Sequence, residues 1–163
     1  MEFRKISGTE LTVSRIGLGT WAIGGWMWGG SDDADSIATI HAAIDHEISL
    51  IDTAPIYGFG RSEEILGKAL APTGLRHRVV IATKAGLDWS DGHPFRHASR
   101  ERIFAEVEAS LKRLGTDYID IYQVHWPDPF NPDRGMRRGD ARAIATGQDS
   151  RDRGQQFLTA ADA

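Results

Sequence analysis

Apolar residues follow two alternating patterns along the first 129 positions, short continuous runs and helical stripes. The runs lie within Arg15–Thr20, Leu50–Asp52, Arg78–Gly86 and Asp117–Trp126, and they have the length of β-strands. Between them, apolar residues recur at three- and four-residue spacing, which predicts three helices. Strands that alternate with helices favour a parallel sheet with right-handed crossover connections.

The predicted helices carry recognisable end signals. The first helix begins at about Asp33, where acidic side chains favour a helix N-terminus. The second covers about 62–70, with Ser62 as the predicted N-cap. The third follows Ser99, another N-cap candidate, and ends at Gly115, the residue type that favours the position after a helix.

Polar residues follow the end of each predicted strand, and they help to choose between two parallel architectures. These are an open doubly wound sheet and a closed (β/α)8 barrel. The polar or aromatic residues at the strand ends are Trp21, Asp52, Tyr57, Lys84 and His125. In a barrel such ends ring one mouth, where barrel enzymes hold their active sites. A whole barrel needs about 250 residues. We therefore expect a partial α/β barrel with a hairpin over 3–13, four strands and three helices.

Composition limits the expected partners and compartment. The net charge of −4 and the pI near 5.8 do not indicate a basic surface for nucleic acid or an anionic membrane. The sequence has no cysteine, which excludes disulfides and thiolate metal sites and fits a reducing compartment. The N-terminus lacks a signal peptide's apolar segment, and no apolar run has membrane-spanning length. We expect a soluble cytoplasmic protein that binds a small molecule.

Four of the strand-end residues together suggest carbonyl chemistry. Tyr57 could protonate an oxygen if the ammonium of Lys84 lay beside it, because an ammonium stabilises the phenolate. Asp52 could hold Lys84 charged, and His125 could orient a substrate carbonyl. Singly, each residue also fits a structural role in a turn, in packing or at a strand end. Together with Trp21, they arrive at the same end of four successive strands, which favours a shared site.

Three other patterns offer competing interpretations. The segment "GLGTWA" from Gly17 matches a dinucleotide-binding fingerprint, but no helix follows it directly, so we interpret it as a loop. His93, His97, His125 and several Asp lie in loops and could suggest metal ligands, although the spacing of a known metal motif is absent. Five tryptophans fall in loops and suit an apolar substrate cleft or a protein interface: Trp21, Trp26, Trp28, Trp89 and Trp126.

The chain resembles the aldo-keto reductase family in "RIGLGTWAIGG", "LIDTAPIYGFGRSEEILGKAL", "VVIATKAG" and "SLKRLGTDYIDIYQVHWPDP". The resemblance implies a (β/α)8 barrel, NADP(H) as cofactor, and hydride transfer to an aldehyde or ketone. It implies a catalytic tetrad of Asp52, Tyr57 as proton donor, Lys84 and His125. It further implies cofactor contacts from Thr20, Trp21 and Asp52. The implied substrate-binding residues are Trp21, Tyr57, Trp89, His125 and Trp126.

The sequence changes character after Pro129. Residues 130–163 have few large apolar side chains, so we expect a disordered tail that cannot bury a core. If 147–163 is written as codons and read one nucleotide later, permitted codons give AKIRAIGVSNFSPPQM, which resembles the family's fifth-strand segment. Our hypothesis is a single-nucleotide insertion near the codon of Phe130. Residues 1–129 would then be the first half of the barrel, and 130–163 would be out-of-frame sequence.

These expectations leave two alternatives to a carbonyl reductase. One is a non-catalytic fragment or regulatory module of the same fold, since half a barrel leaves strand edges open. The other is a metal-dependent barrel hydrolase. Because the resemblance implies that most of the cofactor clamp lies in the family's second half barrel, we expect this chain to bind NADPH weakly or not at all.

Overall fold

Parallel strands form the centre of the structure, a computed structural model that describes residues 1–129 and the strand Gln156–Phe157. The strands are β1 Phe3–Lys5, β2 Thr12–Ser14, β3 Gly17–Gly19, β4 Leu50–Asp52, β5 Val80–Ala85, β6 Leu87–Ser90, β7 His93–Arg96, β8 Ile121–Val124 and β9 Gln156–Phe157. The helices are α1 Asp33–Asp45, α2 Arg61–Leu70 and α3 Arg100–Leu114, with short 3-10 helices at Ala22–Gly24 and Leu75–Arg78.

The central sheet has the order β3-β4-β5-β8-β9, and every neighbouring pair is parallel. This confirms the predicted alternation of strands and helices. The strand β9 was not expected, because we predicted that the sequence after Pro129 would add nothing to the fold. It pairs Gln156 with Ile121 and Phe157 with Tyr122, so the far edge of β8 is covered over two residues. The segment 130–155, on which the predicted boundary after Pro129 and the proposed change of frame depend, lies outside the described residues.

Helix ends follow the predicted signals in two cases of three. Asp32 caps α1, and its Oδ1 accepts a hydrogen bond from the Asp35 amide at 3.0 Å. Ser99 caps α3, which ends at Gly115 in the left-handed region at φ 62°. The prediction for Ser62 was wrong, because α2 begins at Arg61 after a left-handed Gly60. Within the described ranges, no helix is both long and apolar enough to cross a lipid bilayer.

The hydrophobic core lies between the sheet and the three helices. Strand side chains alternate in direction, so Ile51 and Ile81 are fully buried against the helices. Thr83 continues the helix-facing row of β5 and is also fully buried. Its neighbour Lys84 therefore points to the opposite side of the sheet. This alternation separates the core row from the row that carries candidate chemistry.

Residues 1–129 also form two antiparallel hairpins, of which only one was predicted. The hairpin of β1 and β2 agrees with the turn expected near Gly8. The hairpin of β6 and β7 was interpreted as a loop with possible metal ligands. It closes through Asp91 and Gly92, whose φ angles of 49° and 76° are both positive. An Asp-Gly pair in this conformation makes the two-residue turn that suits the twist of a hairpin.

Candidate active site

An ion pair between adjacent strands forms the base of the site. Asp52 is the last residue of β4, and Lys84 lies near the end of β5. The Lys84 Nζ donates to Asp52 Oδ1 at 2.7 Å and to the Thr53 carbonyl oxygen at 2.9 Å. The lysine side chain is 13% exposed, whereas the aspartate side chain is 42% exposed. The ammonium is therefore fixed by two oxygens from β4 and its following residue.

The hydroxyl of Tyr57 completes the surroundings of that ammonium. Lys84 Nζ lies 3.3 Å from the Tyr57 hydroxyl oxygen and 5.0 Å from the centre of the ring. The loop after β4 is tightly turned, with a hydrogen bond from the Tyr57 amide to the Ala54 carbonyl at 3.1 Å. A second bond, from the Gly60 amide to the Pro55 carbonyl at 2.7 Å, closes the loop before α2. The turn holds the phenol over the strand ends.

His125 faces the phenol from the end of β8. Its amide donates to the Ala85 carbonyl at 2.8 Å, which extends the pairing of β8 with β5 by one residue. The rings of His125 and Tyr57 meet edge to face, with centroids 5.8 Å apart. Burial, and to a smaller extent the charge of Lys84, lower the pKa of His125 to about 4, while Asp52 opposes the change. The imidazole is therefore neutral at pH 7, able to donate from one nitrogen and accept at the other.

Exposed tryptophans border the four polar residues on two sides. Trp21 lies 6.2 Å from Tyr57 between ring centroids and contacts Trp28 edge to face at 5.5 Å. Trp126 lies 5.9 Å from His125. Trp21 and Trp126 are each 43% exposed, which leaves apolar surface for a ligand beside the polar groups.

Trp89 and Thr20 occupy different surroundings from the other predicted contact residues. Trp89 packs against a small cluster that includes Ile56, and its ring centroid lies 5.7 Å from that of Phe59. It supports the back of the Tyr57 loop, and its substrate contact stays a prediction. Thr20 is fully buried, and its hydroxyl donates to the Asp52 carbonyl at 3.0 Å. Its contact with a cofactor also stays a prediction.

Comparison with known proteins connects this geometry to a family. Residues 15–155 match the sequence model described as the aldo/keto reductase family. The chain belongs to that family. It is 64% identical over 132 residues to the aldo-keto reductase YhdN of Bacillus subtilis strain 168, a match covering 81% of this chain and 40% of YhdN. It is 48% identical over 139 residues to the NADH-specific methylglyoxal reductase of Escherichia coli K12, covering 76% of this chain and 42% of that reductase.

Solved structures of the aldo-keto reductase family support the same fold. The glycerol dehydrogenase AKR11B4 of Gluconobacter oxydans superposes with a TM-score of 0.81 and 44% sequence identity. The match covers 96% of this chain and 47% of the dehydrogenase. The predicted partial barrel is confirmed, and the chain spans less than half the length of these relatives.

The alternative of a metal site finds no counterpart in the described part of the chain. His93 lies in β7 and His97 follows that strand, whereas His125 follows β8. Within residues 1–129 and β9, no three His, Asp or Glu side chains form a group that could hold a metal ion. His97 instead lies 3.4 Å from Asp88, between its Nδ1 and the aspartate Oδ2.

Sequence reasoning missed three buried polar residues beneath the ion pair. Ser62 was interpreted as a helix cap, and neither Glu63 nor Thr83 was singled out. All three side chains are fully buried. A signal was available for Glu63, because a carboxylate there shares one face of α2 with Leu66 and Leu70, at three- and seven-residue spacing. A charged residue on a buried helix face usually has a specific partner.

Proposed function

We propose that the site serves an NADP(H)-dependent oxidoreductase that reduces an aldehyde or ketone to an alcohol, with Tyr57 as the proton donor. One observation carries the proposal: the Lys84 ammonium lies between the Asp52 carboxylate and the Tyr57 hydroxyl, at 2.7 Å and 3.3 Å. The membership of the aldo/keto reductase family supports the same conclusion.

Each of the four residues has a distinct part in the proposed reaction. Neutral His125 donates a hydrogen bond that orients the substrate carbonyl oxygen beside Tyr57. The Tyr57 hydroxyl gives its proton to that oxygen as negative charge develops there. The Lys84 ammonium stabilises the phenolate that remains, and Asp52 holds Lys84 in place.

The donor set fits a nicotinamide cofactor, which supplies a hydride when it is bound. A carbonyl that receives a hydride needs one proton on its oxygen, and this is what the Tyr57 hydroxyl is placed to give. We propose that Trp21 and Asp52 contact the cofactor, since both have exposed surface beside Tyr57. Thr20 is fully buried, and its amide and hydroxyl both donate to the Asp52 carbonyl, so we propose that it serves the cofactor site by holding Asp52 in place.

The substrate is proposed to be a small carbonyl compound. Relatives of this chain are named as a methylglyoxal reductase and a glycerol dehydrogenase, and both names refer to small oxygenated molecules. The apolar surface of Trp21, Trp89 and Trp126 would contact the substrate carbon chain. The relative named NADH-specific makes NADH the competing cofactor, so the preference for NADPH must be measured against it. The absence of cysteine fits the proposed cytoplasmic location.

The test is the oxidation of NADPH or NADH by methylglyoxal, followed by absorbance with the full chain at millimolar cofactor. Tyr57→Phe removes the proposed proton and is expected to lower kcat/KM by about 10²- to 10⁴-fold. The matched control is Tyr118→Phe, because Tyr118 stacks on Arg76, 3.8 Å from the guanidinium carbon, and lies away from the tetrad. Equal turnover by the wild type and Tyr57→Phe would contradict the proposal. Absence of turnover in the wild type would favour a non-catalytic module.

A further inference from the structure

The first turn of α2 contacts Thr53 and Thr83, the chain neighbours of the Asp52–Lys84 ion pair. It places two consecutive polar residues, Ser62 and Glu63, at fully buried positions. The following residue, Glu64, is exposed. A buried hydroxyl and a buried carboxylate are costly to keep unless they make good hydrogen bonds, so their partners indicate what they are there to hold.

Ser62 connects Thr53, the residue after Asp52, with Thr20, which is hydrogen-bonded to the Asp52 carbonyl. Its Oγ lies 3.1 Å from Thr53 Oγ1 and donates to Thr20 Oγ1 at 2.7 Å, with the Thr20 carbonyl at 2.9 Å. Thr20 Oγ1 in turn donates to the Asp52 carbonyl at 3.0 Å. The three hydroxyls form a chain in which each can donate once, and such chains strengthen one another in a buried site.

Glu63 makes the corresponding contacts with β5, the strand that carries Lys84. Thr83 Oγ1 donates to Glu63 Oε1 at 2.7 Å, and Arg113 Nε of α3 donates to Oε2 at 2.7 Å. Both carboxylate oxygens therefore have a partner, and the ion pair with Arg113 offsets the cost of the buried charge. Thr83 directly precedes Lys84 and points to the opposite face of β5. Fixing the Thr83 side chain therefore fixes the strand from which Lys84 reaches the site.

We propose that Ser62 and Glu63 are positioning residues, which hold Asp52 and Lys84 at the separation that brings the ammonium to the Tyr57 hydroxyl. Ser62 holds the β4 side of the ion pair, including Thr53, whose carbonyl accepts from Lys84 at 2.9 Å. Glu63 holds the β5 side. The inference rests on the proposed role of Tyr57 as proton donor, because only then does this separation affect catalysis.

The test measures the surroundings of Tyr57 without requiring turnover. The full chain is labelled with ¹³Cζ-tyrosine, and the Tyr57 resonance is assigned from its loss in Tyr57→Phe. The variant Lys84→Met gives the resonance position when no ammonium is present. Each test variant changes one member of these hydrogen-bond chains, on the helix side or on the strand side: Ser62→Ala, Thr53→Val, Glu63→Gln and Thr83→Val.

Matched controls separate positioning from a general loss of stability. Glu64→Gln makes the same chemical change as Glu63→Gln at the adjacent exposed position. Ser36→Ala removes another buried serine hydroxyl, in the first turn of α1. The free energy of unfolding is measured in urea for every variant. The variants Thr53→Val and Thr83→Val keep the side-chain shape, so the links are tested even if a helix-side variant fails to fold.

The expected result is a Tyr57 resonance that moves toward its position in Lys84→Met in the test variants and stays unchanged in both controls. In an active enzyme, kcat is expected to fall about tenfold or more with little change in KM, since small displacements at a reacting centre are costly. Variants that lose stability but leave the Tyr57 resonance at the wild-type position would overturn the proposal. If Tyr57→Phe leaves turnover unchanged, the proposed function fails, while the resonance still decides whether the two residues position Lys84.

Discussion

Gly24 and Tyr57 pack backbone against backbone where the 3-10 helix Ala22–Gly24 meets the loop after β4. A Cβ added at Gly24 would lie 2.5 Å from both the carbonyl carbon and the carbonyl oxygen of Tyr57. The atoms that would have to move are main-chain atoms of the proposed proton donor. The absence of a side chain at Gly24 therefore determines how closely the two loops approach.

We predict that Gly24→Ala displaces the Tyr57 loop and lowers the free energy of unfolding by about 1–3 kcal/mol, the range for inserting a methyl into a tightly packed site. The measurement is urea unfolding followed by circular dichroism. Gly19→Ala is the control, because a Cβ at that position meets nothing within 4 Å. Equal unfolding free energies for the two variants would show that the loops separate easily.

A second prediction concerns the loss of stability at acid pH that His125 causes. Its pKa is lowered from an ordinary 6.5 to about 4, chiefly by burial and then by Lys84. Between these values the unfolded chain binds a proton that the folded chain does not, so stability falls as the pH drops from about 6.5 to about 4. His125→Gln is expected to flatten this part of the stability curve. The check is urea unfolding at pH steps across that range, and an unchanged slope in the variant would contradict it.

Glu106 is predicted to change the stability with pH in the opposite direction to His125. Burial raises the pKa of Glu106 from 4.5 to about 7, against the opposing effects of its hydrogen bond from the Gly86 amide at 2.9 Å and of Arg102. The folded chain keeps a proton that the unfolded chain releases, so this stability is full below pH 4.5 and is lost as the pH rises to about 7.

Glu106→Gln is expected to remove the loss of stability between pH 4.5 and 7. The glutamine can still accept the Gly86 hydrogen bond through its carbonyl oxygen. Glu108→Gln, at an exposed position of the same helix, is the control and should leave the slope unchanged. In the wild type the contributions of Glu106 and His125 oppose each other, so the two single variants should change the slope of the unfolding free energy against pH in opposite directions. Changes of the same sign would show that one assignment is wrong.

The isolated chain is predicted to bind NADPH weakly. Most of the cofactor contacts implied by the resemblance would come from a second half barrel, and Trp21 and Asp52 alone offer little contact area. Fluorescence titration of NADPH with the purified chain tests this, with NADH titrated in parallel. Micromolar affinity would contradict the prediction.

The gene offers a further prediction. If residues 130–163 are out of frame, the codons from Gly147 onward must permit AKIRAIGVSNFSPPQM when read one nucleotide later. Gln155, Gln156 and Phe157 are restrictive, since each leaves only two options in the shifted frame at the positions that yield Ser, Asn and Phe. Sequencing the gene across the codon of Phe130 gives the answer, and an intact frame whose codons cannot encode those residues would disprove the hypothesis.

The sequence was informative wherever local pattern and strand direction decide the outcome. Lys84 and His125 could be placed together, because parallel strands deliver their carboxyl ends to one edge of a sheet. It was misleading where one residue type suits several roles. Ser62 has the chemistry of a helix cap, but the left-handed Gly60 starts α2 one residue earlier and turns the hydroxyl inward. Asp91 and Gly92 were interpreted as loop residues, although positive φ angles at both positions make them a hairpin turn.

The short pairing of β9 with β8 shows that two residues of extended backbone are enough to join the edge of this sheet. The contacts between parallel strands are made by main-chain amides and carbonyls, so Gln156 and Phe157 extend the ladder through their backbone. The main-chain groups at the edge of β8 therefore act as a template with which an extended segment can pair, and in this chain β9 occupies that template over two residues.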